Sequence, residues 1–475
     1  LIWESAVDLA DALRSGKLSA FEVMEETYDR IEAVNPRLNA IVNLLPRSEA
    51  LTLADEADGV PPDERGVLHG IPMAIKDLGD VAGFPTTSGF VPYRDRVASA
   101  DGRMPARLRA AGVLFIGKTN TPEFGLGSHT FNSLFGATLN PYDSTRTPGG
   151  SSGGAAVAVA TGMLPIADGS DMGGSLRNPT SFCNIVGLRP SIGRVPVSGA
   201  AGWFGRISTG GPIGRTVSDT ALLFSVQAGP DPRDPLTLPE SGSMFRQVMP
   251  EQTAPRGSDR PRRIAYSPNL HDLPIEHEVA KVIAEAPAVF ERLGWTVDEA
   301  APDLSRAMEV FQVQRAAGLS NLGRTLDEAV PDWRSHAKET AIWNIDQGLA
   351  LTAEEIMRSE LLRAQIYGDV AEFFETYDAL ILPAAQVAPF AIDTDWISEI
   401  NGVELPTYID WMTVCCAISV TDLPAISVPA GFTSTGLPVG LQIVGKPQGD
   451  LELLRIAHAF EQATLHHLRR PPIHV

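Results

Sequence analysis

Hydrophobic positions follow two rhythms along this chain. Near the start they recur at helical spacing: Val7, Leu9, Ala10 and Leu13, then Phe21, Met24, Tyr28 and Ile31. A repeat of three to four residues puts them on one face of a helix. The second helix is predicted to begin at a capping box, Ser19 with Glu22 three residues on, and to stop before Pro36. Further along, short apolar runs alternate with longer helical stretches. IPMAIK (71–76), VLFIG (113–117), RIAYS (263–267), ALILP (379–383), PAISVP (424–429) and GLQIV (440–444) predict strands. Residues 104–112, 278–294 and 450–463 predict helices. Wholly apolar strands interleaved with helices predict an α/β fold whose sheet is covered on both faces.

The chain has 475 residues, enough for one large domain or two ordinary ones, and it carries no internal repeat. Residues 229–262, rich in Pro, Gly, Asp and Arg, read as a surface connection. Residues 263–420 carry fewer motifs and are expected to form part of the sheet and the walls of a pocket.

The net charge of −20 disfavours phosphate backbones and anionic lipid, so neither nucleic acid nor membrane is expected as a partner. The one compact basic cluster, Arg260 to Arg263, lies in a Pro-rich loop and reads as a solvated face. No run approaches the ~20 apolar residues of a membrane span. Three cysteines, Cys183, Cys415 and Cys416, two of them adjacent, suit a reducing compartment better than a disulfide framework. A cytoplasmic protein is the expectation. The absence of CxxC and HExxH motifs gives no reason to expect a metal or other cofactor.

Two motifs mislead. GVLFIGKT (112–119) fits the phosphate-binding string GxxxxGK[ST], but its four intervening residues are the strand itself, where such a loop needs its turn. GGSSGG (149–154) fits GxSxG with Ser151 or Ser152 central, as in an esterase using a later histidine such as His458, His466, His467 or His474. That motif needs a strand before it, and NPYDSTRTP reads as a loop.

A different constellation is more specific. Lys76 ends an apolar run, where lost solvation lowers its pKa and makes a neutral amine accessible. Ser151 and Ser152 lie between paired glycines that permit unusual backbone angles. In SDMGGS (170–175) two glycines before Ser175 let successive amides converge on one small volume. Amides of Met172, Gly173 and Gly174, together with that of Ser175, are candidates to receive the oxygen of a tetrahedral intermediate. Ser170, Asp171 and Arg177 are expected to hold that turn from behind.

In these residues and their order the chain resembles the amidase signature family. The likeness runs from Gly149 through SFCNIVGLRPS to Ser191. It extends to HGIPMAIKDLGDVAGFPTTSG (69–89), GKTNTPEFGLGS (117–128), FNSLFGATLNPYD (131–143) and PAISVPAGFTSTGLPVGLQIVG (424–445). It implies a single domain over 1–475 with a catalytic core at 69–191. The implied fold is one α/β/α sandwich round a large mixed, mostly parallel sheet with helices on both faces.

The resemblance further implies that Ser175 is the nucleophile and Lys76 the catalytic lysine. Ser151, preceded by a cis peptide, would relay the proton, and Gly125 would present a carbonyl to the substrate. The implied activity is cleavage of a small amide, or a related anilide, lactam or carbamate, through an acyl-enzyme. The family also contains the glutamine-hydrolysing component of tRNA-dependent amidotransferases, which remains an alternative, as does the esterase reading. A homodimer is compatible with these expectations. The sequence departs from the family pattern at DGSD (168–171), where LGTD is usual, and at Met172 for a common Thr. Asp168 is expected to make a salt bridge or a backbone hydrogen bond. Trp203, Phe204, Phe131, Trp343 and Trp411 are candidate wall residues, each also suited to the core.

Overall fold

The structure, a computed structural model, describes residues 1–197, 206–246 and 260–473. A small sheet contains β1 (Ile41–Val42), β2 (Pro72–Lys76) and β3 (Leu114–Thr119) in the order β1-β3-β2. A short hairpin follows, β4 (Phe131–Asn132) with β5 (Gly136–Ala137). Next come β6 (Ile166–Asp171), β7 (Val186–Arg189), β8 (Thr209–Gly214), β9 (Arg263–Tyr266), β10 (Thr296–Glu299) and β11 (Ala379–Pro383). A second hairpin, β12 (Glu399–Ile400) with β13 (Val403–Glu404), precedes β14 (Ala425–Phe432) and β15 (Pro438–Gly445).

Eight of these form the large sheet, in the order β10-β9-β11-β15-β14-β7-β8-β6. It is mixed, as expected, and five of its eight strands run in one direction. Only β10–β9 and β9–β11 pair in parallel, and the other five pairs are antiparallel. A run of apolar residues reports burial on both faces and carries no information about a neighbour's direction.

Alternation along β11 accounts for its unbroken apolar sequence. Leu380 and Leu382 pack into a cluster with Phe311 and Trp411, whereas Ala379 and Ile381 pack into another with Phe290 and Leu453. Helices therefore cover both faces. The β3 strand spans the interior of the GVLFIGKT string, and the Lys118 side chain is buried against the Gly79 carbonyl and Thr86. Among the described residues no helix is long and apolar enough to cross a membrane.

Two helix boundaries differ from the sequence reading. The capping box at Ser19 forms, but the helix runs from Ala20 to Leu38, through Pro36. Leu38 is buried and the next residue, Asn39, takes a left-handed conformation whose N–H reaches the Asn35 carbonyl at 2.8 Å. Packing and this cap outweigh the single hydrogen bond that the proline forgoes. The stretch 278–294 forms two helices, His277–Ile283 and Ala286–Arg292. The break precedes Pro287, which the first turn of a helix tolerates and its interior does not.

Candidate active site

Lys76 is the last residue of β2, and its backbone N–H donates to Asp168 Oδ1 in β6 at 3.0 Å. Asp168 thus makes the backbone bond expected of it. The Lys76 side chain is buried among hydroxyls. Its Nζ lies 2.7 Å from Ser151 Oγ, 2.9 Å from Ser152 Oγ and 3.1 Å from Ser170 Oγ. Burial pushes its pKa down to about 7, against the opposing pull of Asp168 and Asp171. Burial likewise pushes the Asp168 carboxyl up to about 6.

The Gly150–Ser151 peptide is cis. Ser152 occupies the N-cap position of the helix Gly153–Ala160, yet its hydroxyl makes no cap and turns to Lys76 instead. Local sequence identifies the cap position; only the tertiary fold reveals the lysine.

At the end of β6 the carboxylate of Asp171 organises the turn that leads to Ser175. Asp171 accepts the N–H of Gly174 at 2.9 Å and of Leu176 at 3.0 Å. It also faces Arg177 Nη2 at 2.8 Å and Arg189 Nη1 at 3.4 Å. Burial alone would raise its pKa, but the two guanidiniums hold it well below the usual carboxylate range. Arg177 extends the network to the Cys415 carbonyl (3.1 Å), Gln442 Oε1 (2.6 Å) and Ser419 Oγ (2.8 Å). Strand, turn and the later helix Thr413–Val420 are thereby fixed to one another. Gly174 has φ +117°, and a Cβ there would stand 2.7 Å from Asn178 Nδ2 and 2.8 Å from Cys415 Cβ.

The four candidate oxyanion donors separate here. The Gly174 N–H is directed at Asp171 and Gly174 is absent from the cavity wall, whereas Met172, Gly173 and Ser175 line it. The amides of these three donate to no described backbone carbonyl outside regular elements.

The cavity has a volume of about 130 Å³. Ser151, Ser170 and Ser175 line it, together with Gly125. Gly125 has φ +70°, and a Cβ there would meet Leu78 Cδ1 at 2.8 Å. Phe124, Leu126, Met172, Leu319 and Met412 give the wall an apolar side, and Ser128 and Ser208 add hydroxyls.

The proposed aromatic walls fall elsewhere. Trp411 is buried beside Phe182 and Phe390, Trp343 is partly exposed against Tyr408, and Phe131 packs on His129. Trp203 and Phe204 lie outside the described residues. Sequence reasoning did not find Phe311, Arg315 and Tyr408, all on the cavity wall. A signal existed for the first two: Phe311, Arg315 and Leu319 are spaced four apart in one helix, so they share a face.

The esterase motif lacks its setting. No strand occupies residues 138–148, and the hydroxyls of Ser151 and Ser152 face Lys76. His458 lies 3.5 Å from Glu461, His466 and His467 belong to a short helix near the end of the chain, and His474 lies outside the described residues.

A mixed sheet between helical layers thus holds a buried lysine among serine hydroxyls, two of which line a cavity. The chain belongs to the amidase family, whose model, Amidase, matches residues 22–454. It is 37% identical to an acylamidase of Rhodococcus erythropolis, across 97% of this chain and 95% of that protein. It is 35% identical, across 100% of both chains, to the A subunit of the glutamyl-tRNA(Gln) amidotransferase of Carboxydothermus hydrogenoformans. Among solved structures, a bacterial aryl acylamidase of the amidase signature family matches with a TM-score of 0.90 at 30% identity, covering 100% of this chain and 99% of that one. The chain is thus an amide-hydrolysing enzyme.

Proposed function

We propose that Ser175 is the nucleophile of this amidase and that Ser151 and Lys76 carry its proton. Ser175 Oγ attacks the amide carbonyl as its proton passes to Ser151, whose own proton passes to the neutral Lys76 amine. The tetrahedral oxygen is received by the amides of Met172, Gly173 and Ser175. Collapse breaks the C–N bond, and the proton held by Lys76 returns through Ser151 to the leaving nitrogen. Water then attacks the ester on Ser175 by the same relay, releasing the acid and restoring the serine. Asp171, Arg177 and Ser170 position these groups, and Gly125 contributes to the substrate wall. The observation that carries this reading is the buried Lys76 amine within hydrogen-bond distance of three serine hydroxyls, with Ser151 and Ser170 on the same cavity as Ser175.

The apolar wall and a cavity of about 130 Å³ suit a short-chain or single-ring acyl group; an apolar cavity of ~150 Å³ accommodates benzene. We expect faster turnover of anilides of small acids than of acetamide. Equal rates would count against that substrate class. In the isolated chain Ser175→Ala and Lys76→Ala should each lose at least ~10²-fold in anilide hydrolysis. Retention of full rate by either variant would refute its assigned role.

The 35% identity to an amidotransferase component, over the full length of both chains, favours a second reading, glutamine hydrolysis serving a partner enzyme. That reading predicts activity on glutamine alone and only with the partner present.

A further inference from the structure

The cavity has a cationic side that the chemistry above does not use. Arg315 lies midway along the helix Ala307–Ala329, is 6% exposed, and lines the cavity together with Ser151 and Ser175. Its Nη1 donates to Asn344 Oδ1 and its Nη2 to the Tyr408 hydroxyl. Asn344 Nδ2 also donates to that hydroxyl, at 2.6 Å. Both partners of the guanidinium are neutral.

The contrast with the other buried arginines is sharp. Arg177 and Arg189 face Asp171, Arg194 faces Asp450, Arg206 faces Asp234 and Arg262 faces Glu452. Arg315 faces no carboxylate among the described residues. A second cation stands nearby: Lys338 Nζ donates to the carbonyl of Leu126, itself on the cavity wall. Glu123 accepts the Lys338 backbone N–H at 2.8 Å, and the carboxylates of Glu123 and Asp395 lie in the electrostatic surroundings of that lysine.

A guanidinium withdrawn from water without an anion is strongly disfavoured. Arginine has five N–H donors in a fixed fork suited to a carboxylate, and Asn344 and Tyr408 account for two of them. The cavity that Arg315 lines, which also holds the serines, has room for such an anion.

We propose that Arg315 determines specificity by binding a carboxylate of the substrate, so that the preferred amides carry an anionic group a few bonds from the scissile carbonyl. This rests on the reading that Ser175 attacks in the same cavity. The confined volume favours a short spacer, as in the monoamide of a short dicarboxylic acid. Tyr408 and Asn344 hold the guanidinium in place, so they are positioning residues.

The test compares amides of two kinds at equal length: ω-carboxy amides with two to four methylenes, and alkyl amides. The native enzyme should favour the carboxylate series in kcat/KM by at least ~10-fold. In Arg315→Gln the ratio between the two series should fall at least ~10-fold, to near unity. Arg315→Lys should retain part of the ratio.

Inhibition of the native enzyme by glutarate and by butyrate reads the same preference without any substitution. Glutarate should bind at least ~10-fold more tightly. An unchanged ratio in Arg315→Gln, or inhibition by glutarate that this substitution leaves unchanged, would overturn the proposal. Labelling of native Ser175 by a fluorophosphonate separates the two levels. A labelled Ser175 with no carboxylate preference sinks only the Arg315 assignment, whereas an unlabelled one sinks the catalytic reading beneath it.

Discussion

A lysine buried with its charge intact would cost the fold heavily; this one is surrounded by hydroxyls and its pKa is pushed down to about 7. The proton-accepting form is therefore the neutral amine, which predominates above that pH and is lost below it. Accordingly kcat/KM for an anilide should rise with pH through about 7 and level off above it. A pH–rate profile flat from about pH 5 to 9, with chemistry limiting, would contradict Lys76 as the base.

Candidate residues that stand out by their local chemistry are legible in the sequence. Lys76 at a strand end and Ser175 behind two glycines are examples. Ser152 was not, because its hydroxyl bonds to a residue 76 positions away, although its local sequence reads as a cap. Gly174 shows a related limit: its sequence suggests an amide free for catalysis, and the fold gives that amide to Asp171.

At the scale of elements, the turn after β6 depends on one carboxylate that serves two guanidiniums and two amides. Asp171→Asn removes the carboxylate that both buried guanidiniums face, which typically costs ~3–5 kcal/mol. Urea unfolding at pH 7 should read that loss. The carboxyl's folded pKa is depressed, so its contribution is complete above the unfolded value of ~3.9 and disappears as pH falls through the folded value. The gap between native and variant should therefore persist at neutral pH and narrow only in strong acid. A variant as stable as the native protein at pH 7 would deny the carboxylate its organising role.

Gly174→Ala places a Cβ 2.7 Å from Asn178 Nδ2, on backbone with φ +117°. It should lose activity, because the turn carrying Ser175 must move; an unaffected kcat would show that the turn has slack. Strands such as β11 were recognisable because every residue is apolar. The IADGSD strand, β6, was not read as one, because its Asp, Gly and Ser residues belong to the site and obscure the apolar signal.

At the scale of the molecule, the sheet is a frame that holds two distant stretches of chain on one cavity. Ser151 and Ser175 come from the Gly/Ser-rich stretch, whereas Phe311, Arg315, Tyr408 and Met412 come from residues 263–420. The first stretch has a motif and was legible. The second has only a helical face with an arginine between a phenylalanine and a leucine, a pattern whose meaning depends on what lies opposite. The frame rests on β14 and β15, where Ile443 is fully buried. Ile443→Ala should destabilise the protein by ~2–5 kcal/mol in urea unfolding. A cost near zero would mean that the sheet centre repacks freely.

In the proposed mechanism Ser175 attacks while Ser151 and Lys76 move its proton. Intact-mass analysis and peptide mapping after fluorophosphonate treatment, with anilide hydrolysis followed in parallel, test it most directly. We predict one adduct, on Ser175, appearing in step with the loss of activity. An adduct on Ser151 or Ser152, or complete labelling of Ser175 with activity intact, would contradict that mechanism.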